Sequence, residues 1–226
     1  SRVSPFQRML NNYTKVRSFI LDDQATAAQV NDVKNKLQDY DLVIAGVHDD
    51  SKYPRNSIKF SAPVMQMVSD LAQMDNSIIA VFKNPYVLAK LNNIEHSNGL
   101  IMTYQDNTDA QELAAQLIFG GVSASGKLPV GVGEHFALAD GIDVTGNIRF
   151  NYTLPEDAGV NGEILRAGID SLMWEAINAK AIPGGQILVA KDKKVVFHEA
   201  YGLQSYFDTV KVEKTDLYDL ASISKI

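Results

Sequence analysis

Ser222 and Lys225 form the pattern in this sequence that is best suited to nucleophilic chemistry. They are the two ends of the tetrapeptide Ser222-Ile-Ser-Lys225, which has S-x-x-K spacing. In a helix that begins at the serine, residues three positions apart share a face, so the lysine nitrogen can reach the serine hydroxyl. The amine then activates a weakly nucleophilic hydroxyl, and the positive end of the helix favours the developing negative charge. The pattern predicts Ser222 as a nucleophile and Lys225 as its base or proton shuttle.

Asp49 and Asp50 are the best carboxylate candidates in the first half of the chain. They follow the apolar run 42–47, one residue beyond its end, and we predict that run to be a buried strand. Open α/β sheets bind ligands beyond the carboxyl ends of their strands, and the acidic pair would lie there. We therefore expect a substrate-binding role for these two residues. A solvated loop is the alternative for two adjacent acids at a strand end.

Residues 121–127 fit most of the phosphate-binding pattern G-x-x-x-x-G-K, but their surroundings argue against a nucleotide. That site needs a following serine or threonine to hold magnesium, and a helix whose N-terminus cradles the phosphates. Leu128 and Pro129 follow instead, so we interpret the segment as a turn. The four histidines are scattered without ligand spacing and there is no cysteine, so we expect no metal site and no cofactor.

The composition of the chain excludes several classes of protein. The 226 residues carry 21 basic and 27 acidic side chains, a net charge of −6, and 46% of residues are hydrophobic. An acidic chain of this kind is not expected to bind nucleic acid. Its apolar runs are far shorter than the roughly 18 residues that indicate a membrane span. Because the chain begins at Ser1 without a leader and ends at Ile226 in a patterned stretch, we expect it to be a piece of a longer protein.

The first half of the chain predicts a mostly parallel sheet flanked by helices. Short continuous apolar runs, typical of strands covered on both faces, alternate with segments whose apolar residues recur every three or four positions. The predicted strands are 18–21, 42–45, 78–82 and 100–104, and the predicted helices lie near 5–13, 30–37, 64–71 and 113–118. This alternation is typical of an α/β sandwich.

The pattern changes after a glycine-rich stretch. We predict an α/β domain over 1–133, a linker over 134–160 and an incomplete second domain over 161–226. In the second domain, Leu165, Ile169, Leu172 and Ala176 have amphipathic helical spacing. Two apolar runs, 186–191 and 194–200, flank Asp192-Lys193 and predict an antiparallel hairpin. With so few strands, the hairpin is expected to expose an unpaired edge.

Two family resemblances connect these observations. Residues from about 15 to 133 resemble the C-terminal α/β-sandwich domain of family-3 glycoside hydrolases. The motifs that carry the resemblance are Val43-Ile-Ala-Gly46, Asn84-Pro85-Tyr86, Tyr104-Gln105-Asp106-Asn107 and Ser125-Gly126-Lys127-Leu128-Pro129-Val130. The loop 48–57 has no glutamate, so the resemblance is closest to the β-N-acetylglucosaminidase branch. In that branch the nucleophile and the acid/base group both lie on a barrel domain, which this chain lacks.

Residues from about 161 to 226 resemble the beginning of class C-type serine β-lactamases and penicillin-binding-protein-like hydrolases. The matching motifs are Pro183-Gly184-Gly185, Ala200-Tyr201-Gly202 and Leu220-Ala-Ser222-Ile-Ser-Lys225. The tyrosine motif and the Lys-Thr-Gly-like strand of that family would lie beyond Ile226. Together the resemblances imply part of a bacterial periplasmic or cell-envelope hydrolase that acts on β-linked amino sugars, including peptidoglycan-derived ones. We expect this piece to be inactive, and a non-catalytic carbohydrate-binding or scaffold module is the alternative.

Overall fold

Two sheets organise the part of the chain that the computed structural model describes, residues 3–48 and 58–221. The first, which we call the parallel sheet, has three strands in the order β1-β2-β3: Val43–His48, Ser77–Phe82 and Gly99–Met102. Its helices are α1 (Pro5–Asn11), α2 (Ala27–Leu37), α3 (Ala62–Ala72) and α4 (Thr108–Ile118). The α/β class that the sequence predicted is confirmed at this level.

Strand β2 lies at the centre of the parallel sheet and is buried on both faces. Ile79 and Val81 pack in a cluster with residues of α2 and α3. Ala80 and Phe82 point to the opposite face and pack with residues of α1 and α4. Successive side chains of a strand alternate between faces, so a continuous apolar run suits a strand that helices cover on both sides.

Polar side chains fix where the helices of the parallel sheet begin. Ser4 and Thr26 each form a reciprocal capping box with a glutamine three residues later, at the N-termini of α1 and α2. The side chain of Asn107 accepts a hydrogen bond from the backbone N–H of Ala110 and starts α4. These caps satisfy backbone donors that have no partner within the first turn of a helix.

Residues 18–21 do not form a strand, so that prediction was wrong. Residues of this segment and of β1 line the same cavity of about 690 Å³. Leu21 packs against the core, whereas Ile20 is half exposed. The apolar run is therefore used for side-chain packing, and β1 remains an edge strand within the described residues.

The second sheet, which we call the mixed sheet, has the strand order β4-β6-β5. Its strands are β4 (Asn151–Tyr152), β5 (Gly184–Lys191) and β6 (Lys194–Gly202), and helix α5 spans Gly162–Asn178. Strands β5 and β6 form the antiparallel hairpin that the sequence predicted, with both turn residues at positive φ. In the described part of the chain, no helix is long and apolar enough to cross a membrane.

The stretch between the sheets is largely irregular. Isolated bridges join Ala124 to Val144 and Val132 to Phe136. Lys127, the lysine of the phosphate-binding lookalike, donates to the carbonyl of Gly141 at 2.7 Å. Its ammonium also lies 3.0 Å from Asp143 Oδ1. No helix directly follows this lysine, and residues 125–128 have irregular backbone.

The two sheets meet at Tyr152. Asn151 of β4 donates a backbone hydrogen bond to Lys193 in the hairpin turn, and Thr153, which follows β4, donates one to Val195 of β6. The other edge of β4 is occupied by a side chain: Gln116 of α4 donates to the Tyr152 carbonyl at 3.0 Å and accepts from its N–H at 2.8 Å. The Tyr152 hydroxyl also donates to the Asn12 carbonyl at 2.9 Å. A buried amide thus takes the place of a neighbouring strand and holds the linker against the parallel sheet.

Candidate functional site

Polar side chains gather at the carboxyl edge of the parallel sheet. His48 ends β1, Lys83 and Asn84 follow β2, and Tyr104 and Asp106 follow β3. Carboxyl ends of neighbouring parallel strands meet at one edge, which is where open α/β sheets hold ligands. Together with Gln111 of α4, these residues are called the carboxyl-edge cluster below.

A chain of hydrogen bonds runs through the centre of this cluster. His48 Nδ1 lies 3.1 Å from Asp106 Oδ2. The other carboxylate oxygen of Asp106 accepts from Gln111 Nε2 at 2.5 Å. Gln111 in turn accepts from the backbone N–H of Phe6 at 3.1 Å. These hydrogen bonds fix the relative positions of side chains and backbone from α1, α4, β1 and the loop after β3.

Aromatic packing fixes the plane of the histidine ring. The imidazole of His48 stacks on Phe82 with ring centroids 4.5 Å apart and an interplanar angle of 9°. Phe82 is itself packed edge-on against Phe6 at 5.2 Å. The side chain of His48 keeps 34% of its surface exposed, against 16% for Asp106, so the imidazole is the part of the pair that reaches solvent.

Exposed aromatic residues follow the neighbouring strands. Tyr86, two residues after the cluster member Asn84, is 57% exposed, and Tyr104 is 40% exposed. Tyr104 has a φ of 67°, a left-handed conformation that is uncommon for a bulky residue and is found at ligand sites. Its hydroxyl donates to the Lys127 carbonyl at 3.3 Å. Ring faces and polar groups are thus available near the same edge.

The four residues that the sequence singled out lie outside the described part of the structure. Asp49 and Asp50 directly follow His48 in the chain, and Ser222 and Lys225 follow the last described residue. The segment that leads to Ser222 is tied to the hairpin, because the side chain of Gln186 donates to backbone carbonyls at residues 213 and 216.

Sequence reasoning missed His48 and Asp106 as a pair. We interpreted the histidines as scattered because they are far apart in the chain. A usable signal was present nonetheless, since both residues come two or three positions after predicted strands of one parallel sheet, 42–45 and 100–104. The rule that placed Asp49 and Asp50 at this edge places His48 and Asp106 there as well.

A second polar network crosses the mixed sheet. Glu199 of β6 accepts from Arg166 of α5 at 2.9 Å and lies 3.2 Å from the Lys214 ammonium. Burial raises the pKa of Glu199. The hydrogen bonds and charges of the two cations lower that pKa by more than burial raises it, so the net shift is downward. Burial, followed by the hydrogen bond to Asp170, raises the pKa of Tyr201. This network joins α5, β6 and the segment after the hairpin.

His198 lies on β6 next to Glu199. Its Nδ1 is buried without a hydrogen-bond partner, and its Nε2 is 3.3 Å from Gln186 Oε1. Burial, and then the charge of Lys214, lower the pKa of His198, so both disfavour its charged form. Within residues 3–48 and 58–221, no three histidine or acidic side chains come together as a set that could hold a metal ion.

Comparisons of this chain with protein-family models, with curated proteins and with solved structures found no match. The function proposed below therefore depends on the residues and distances described here, together with the sequence resemblances.

Proposed function

We propose that this chain is the non-catalytic α/β part of a bacterial cell-envelope hydrolase that resembles β-N-acetylglucosaminidases. In this proposal the carboxyl-edge cluster binds a β-linked amino sugar, such as a peptidoglycan-derived one. The observation that supports it most is the ordered array His48–Asp106–Gln111 beside exposed tyrosines at the ligand edge of a parallel sheet.

The chemistry of the cluster suits a polyhydroxylated ligand. Imidazole, amide and carboxylate groups offer both donors and acceptors in fixed positions. Tyr86 and Tyr104 offer apolar ring faces against which the carbon-bound hydrogens of a sugar can pack. A few ordered polar groups with adjoining aromatic surface are typical of small-ligand sites.

The bond-breaking step belongs elsewhere in this proposal. A barrel domain supplies the glycosidase nucleophile and acid/base group, and the whole protein works in the periplasm or cell envelope. Ser222 and Lys225 begin a serine-hydrolase module, with the serine as nucleophile and the lysine as its base. We expect the 226-residue chain to turn over neither glycosides nor β-lactams.

Covalent labelling tests the serine-hydrolase part. The chain is incubated with a β-lactam or a fluorophosphonate and its intact mass is measured, with Ser222→Ala as the matched control. We expect no adduct on either protein. An adduct that disappears in Ser222→Ala would show that the chain is a complete serine hydrolase and would overturn the proposal of an inactive piece.

Calorimetric titration tests the sugar site. Chitooligosaccharides and muropeptides are titrated into the unsubstituted chain, into Asp106→Asn and into Asp109→Asn. Asp109 is an exposed aspartate in the first turn of α4, outside the cluster, and serves as the control. We expect binding heat for the unsubstituted chain and the control. We expect Asp106→Asn to bind roughly tenfold more weakly, because losing about 1.4 kcal/mol from a charged hydrogen-bonding group changes an affinity by that factor.

Two outcomes would contradict the sugar site. No heat with any sugar would favour the alternative, in which the α/β part is a scaffold. Equal weakening by Asp106→Asn and Asp109→Asn would place the ligand outside the carboxyl-edge cluster.

A further inference from the structure

We infer that His48 presents the lone pair of its Nε2 to the ligand as a hydrogen-bond acceptor, and that Gly46 is a positioning residue that makes room for the ring. This inference rests on the proposed function, because it specifies how the carboxyl-edge cluster recognises its sugar. The ligand group that faces His48 must then be a donor, either a hydroxyl or the N–H of an acetamido group.

The direction of the hydrogen bonds follows from groups that can act in only one way. The backbone N–H of Phe6 can only donate, so the oxygen of the Gln111 side chain faces it and the Gln111 amide nitrogen faces Asp106. An ionised carboxylate can only accept. The nitrogen of His48 at 3.1 Å from Asp106 Oδ2 must therefore carry the proton.

A neutral imidazole with its proton on Nδ1 has a bare Nε2. In the described part of the chain, no group donates a hydrogen bond to this nitrogen, and the His48 side chain is one-third exposed. The Phe82 ring, stacked at 4.5 Å, prevents the imidazole from tilting away from this orientation. The acceptor is thus set in place before any ligand arrives.

Gly46 lies two residues before His48 on the same face of β1, and the imidazole folds back over it. A Cβ at position 46 would lie 2.7 Å from His48 Nε2, which is closer than side-chain contacts allow, and 3.3 Å from Cδ2, which is a tight contact. A Cβ would also lie 3.4 Å from the Phe6 ring, which is ordinary contact. Alanine at this position would therefore displace the imidazole more than the backbone.

Imidazole NMR tests the proton position directly. Long-range ¹H–¹⁵N spectra, recorded above the titration range of histidine, show which ring nitrogen carries the proton. The signals of His48 are those that disappear in His48→Gln. We expect the proton on Nδ1 in the unsubstituted chain.

Asp106→Asn gives a second readout that needs no ligand. Its side-chain oxygen would still accept from Gln111, so its NH₂ group would face His48 and donate to Nδ1. The imidazole proton would then move to Nε2, and the spectra would show the opposite tautomer. A proton on Nε2 in the unsubstituted chain, or the same tautomer in both proteins, would overturn the inference.

Sugar binding tests the role of Gly46. We expect Gly46→Ala to weaken N,N′-diacetylchitobiose binding at least fivefold and to remove the single-tautomer pattern of His48. The control is Gly168→Ala, because a Cβ at Gly168 would meet nothing within 4 Å. Equal affinities for Gly46→Ala and the control would overturn the positioning role.

A second sugar separates the two kinds of donor. Cellobiose has the hydroxyls but not the acetamido groups, so retained binding assigns a hydroxyl to His48 and lost binding assigns the acetamido N–H. The absence of any sugar binding to the unsubstituted chain would overturn the proposed function. A wrong tautomer with sugar binding intact would overturn only this inference.

Discussion

The two sheets of this protein achieve their stability in different ways. The parallel sheet has helices on both faces, and its central residues Ile79, Ala80 and Val81 are completely buried. Among the described residues, the apolar cluster that joins α5 to the mixed sheet has three buried members, Met173, Phe197 and Tyr201, and Val195 and Val196 of β6 are also buried. Apolar burial is the main driving force of folding, so the parallel sheet is the stable platform of the molecule.

The mixed sheet depends more on polar contacts and leaves apolar surface uncovered. Glu199 is held by two cations, and Tyr201 donates to Asp170. Leu188 on β5 is 49% exposed and Leu172 on α5 is 68% exposed. The comparison indicates that substitutions in the core of the parallel sheet should cost much more than substitutions in the mixed sheet.

The largest effect is expected from Ile79→Ala. Removing a completely buried side chain from β2 leaves a cavity in a sheet that is packed on both faces. We expect the free energy of unfolding to fall by about 2–5 kcal/mol. Ile164→Ala, at a position on α5 that is 72% exposed, is the control and should change it by less than about 0.5 kcal/mol. Urea unfolding measures both, and similar costs would contradict the comparison.

An intermediate effect is expected from Gln116→Leu. Leucine keeps most of the buried volume but leaves the N–H and carbonyl of Tyr152 without the amide that pairs with them. One unpaired group that is fully buried costs about 1–3 kcal/mol, and because the two Tyr152 groups are only part-buried, together they should cost about as much. We expect a loss in that range, and faster proteolysis near residues 150–153.

Gln66→Leu is the matched control for this substitution, because Gln66 lies on an exposed face of α3. If Gln116→Leu and Gln66→Leu are equally stable and equally resistant to protease, then the Gln116 amide does not hold the two sheets together.

The smallest effect is expected from Lys214→Met, which removes one of the two cations beside Glu199. A partly exposed ion pair contributes less than about 1 kcal/mol at neutral pH. The pKa of Glu199 is lowered in the folded protein, so its stabilisation is present above the ordinary glutamate range and is lost as the pH falls.

The charge of Lys214 also disfavours protonation of His198. The difference in the free energy of unfolding between Lys214→Met and the unsubstituted chain should therefore fall to zero, or reverse its sign, at acid pH. Urea unfolding across the pH range measures it, and a cost that grows as the pH falls would contradict this account.

These differences explain how far the sequence could predict the structure. Buried strands such as 78–82 and amphipathic helices such as 113–118 have strong periodicity, and the structure has elements there. Residues 18–21 carry the same apolar signal without forming a strand: Phe19 and Leu21 are only partly buried, Ile20 is exposed, and a short apolar run does not by itself fix backbone pairing. The two-residue strand at Tyr152 is too short for any periodic signal, and the side chain that completes it comes from residue 116.

The candidate site was predictable only in its location. The rule for carboxyl ends of parallel strands points to the edge where His48 and Asp106 lie, and Asp49 and Asp50 follow one of its strands in the chain. The pairing of His48 with Asp106 depends on the relative positions of β1 and β3, which are joined only through β2. Residues 58 positions apart in the chain come into contact through sheet order, and no local pattern encodes that order.

Amide chemical-shift mapping tests the central claim most directly. The ¹⁵N-labelled chain is titrated with N,N′-diacetylchitobiose, and the shifts of the parallel sheet are compared with those of the mixed sheet. We expect saturable shifts at His48, Asn84, Tyr104 and Asp106 and none along β5 and β6. Shifts confined to the hairpin, or no shifts at all, would contradict a sugar site at the carboxyl edge of the parallel sheet.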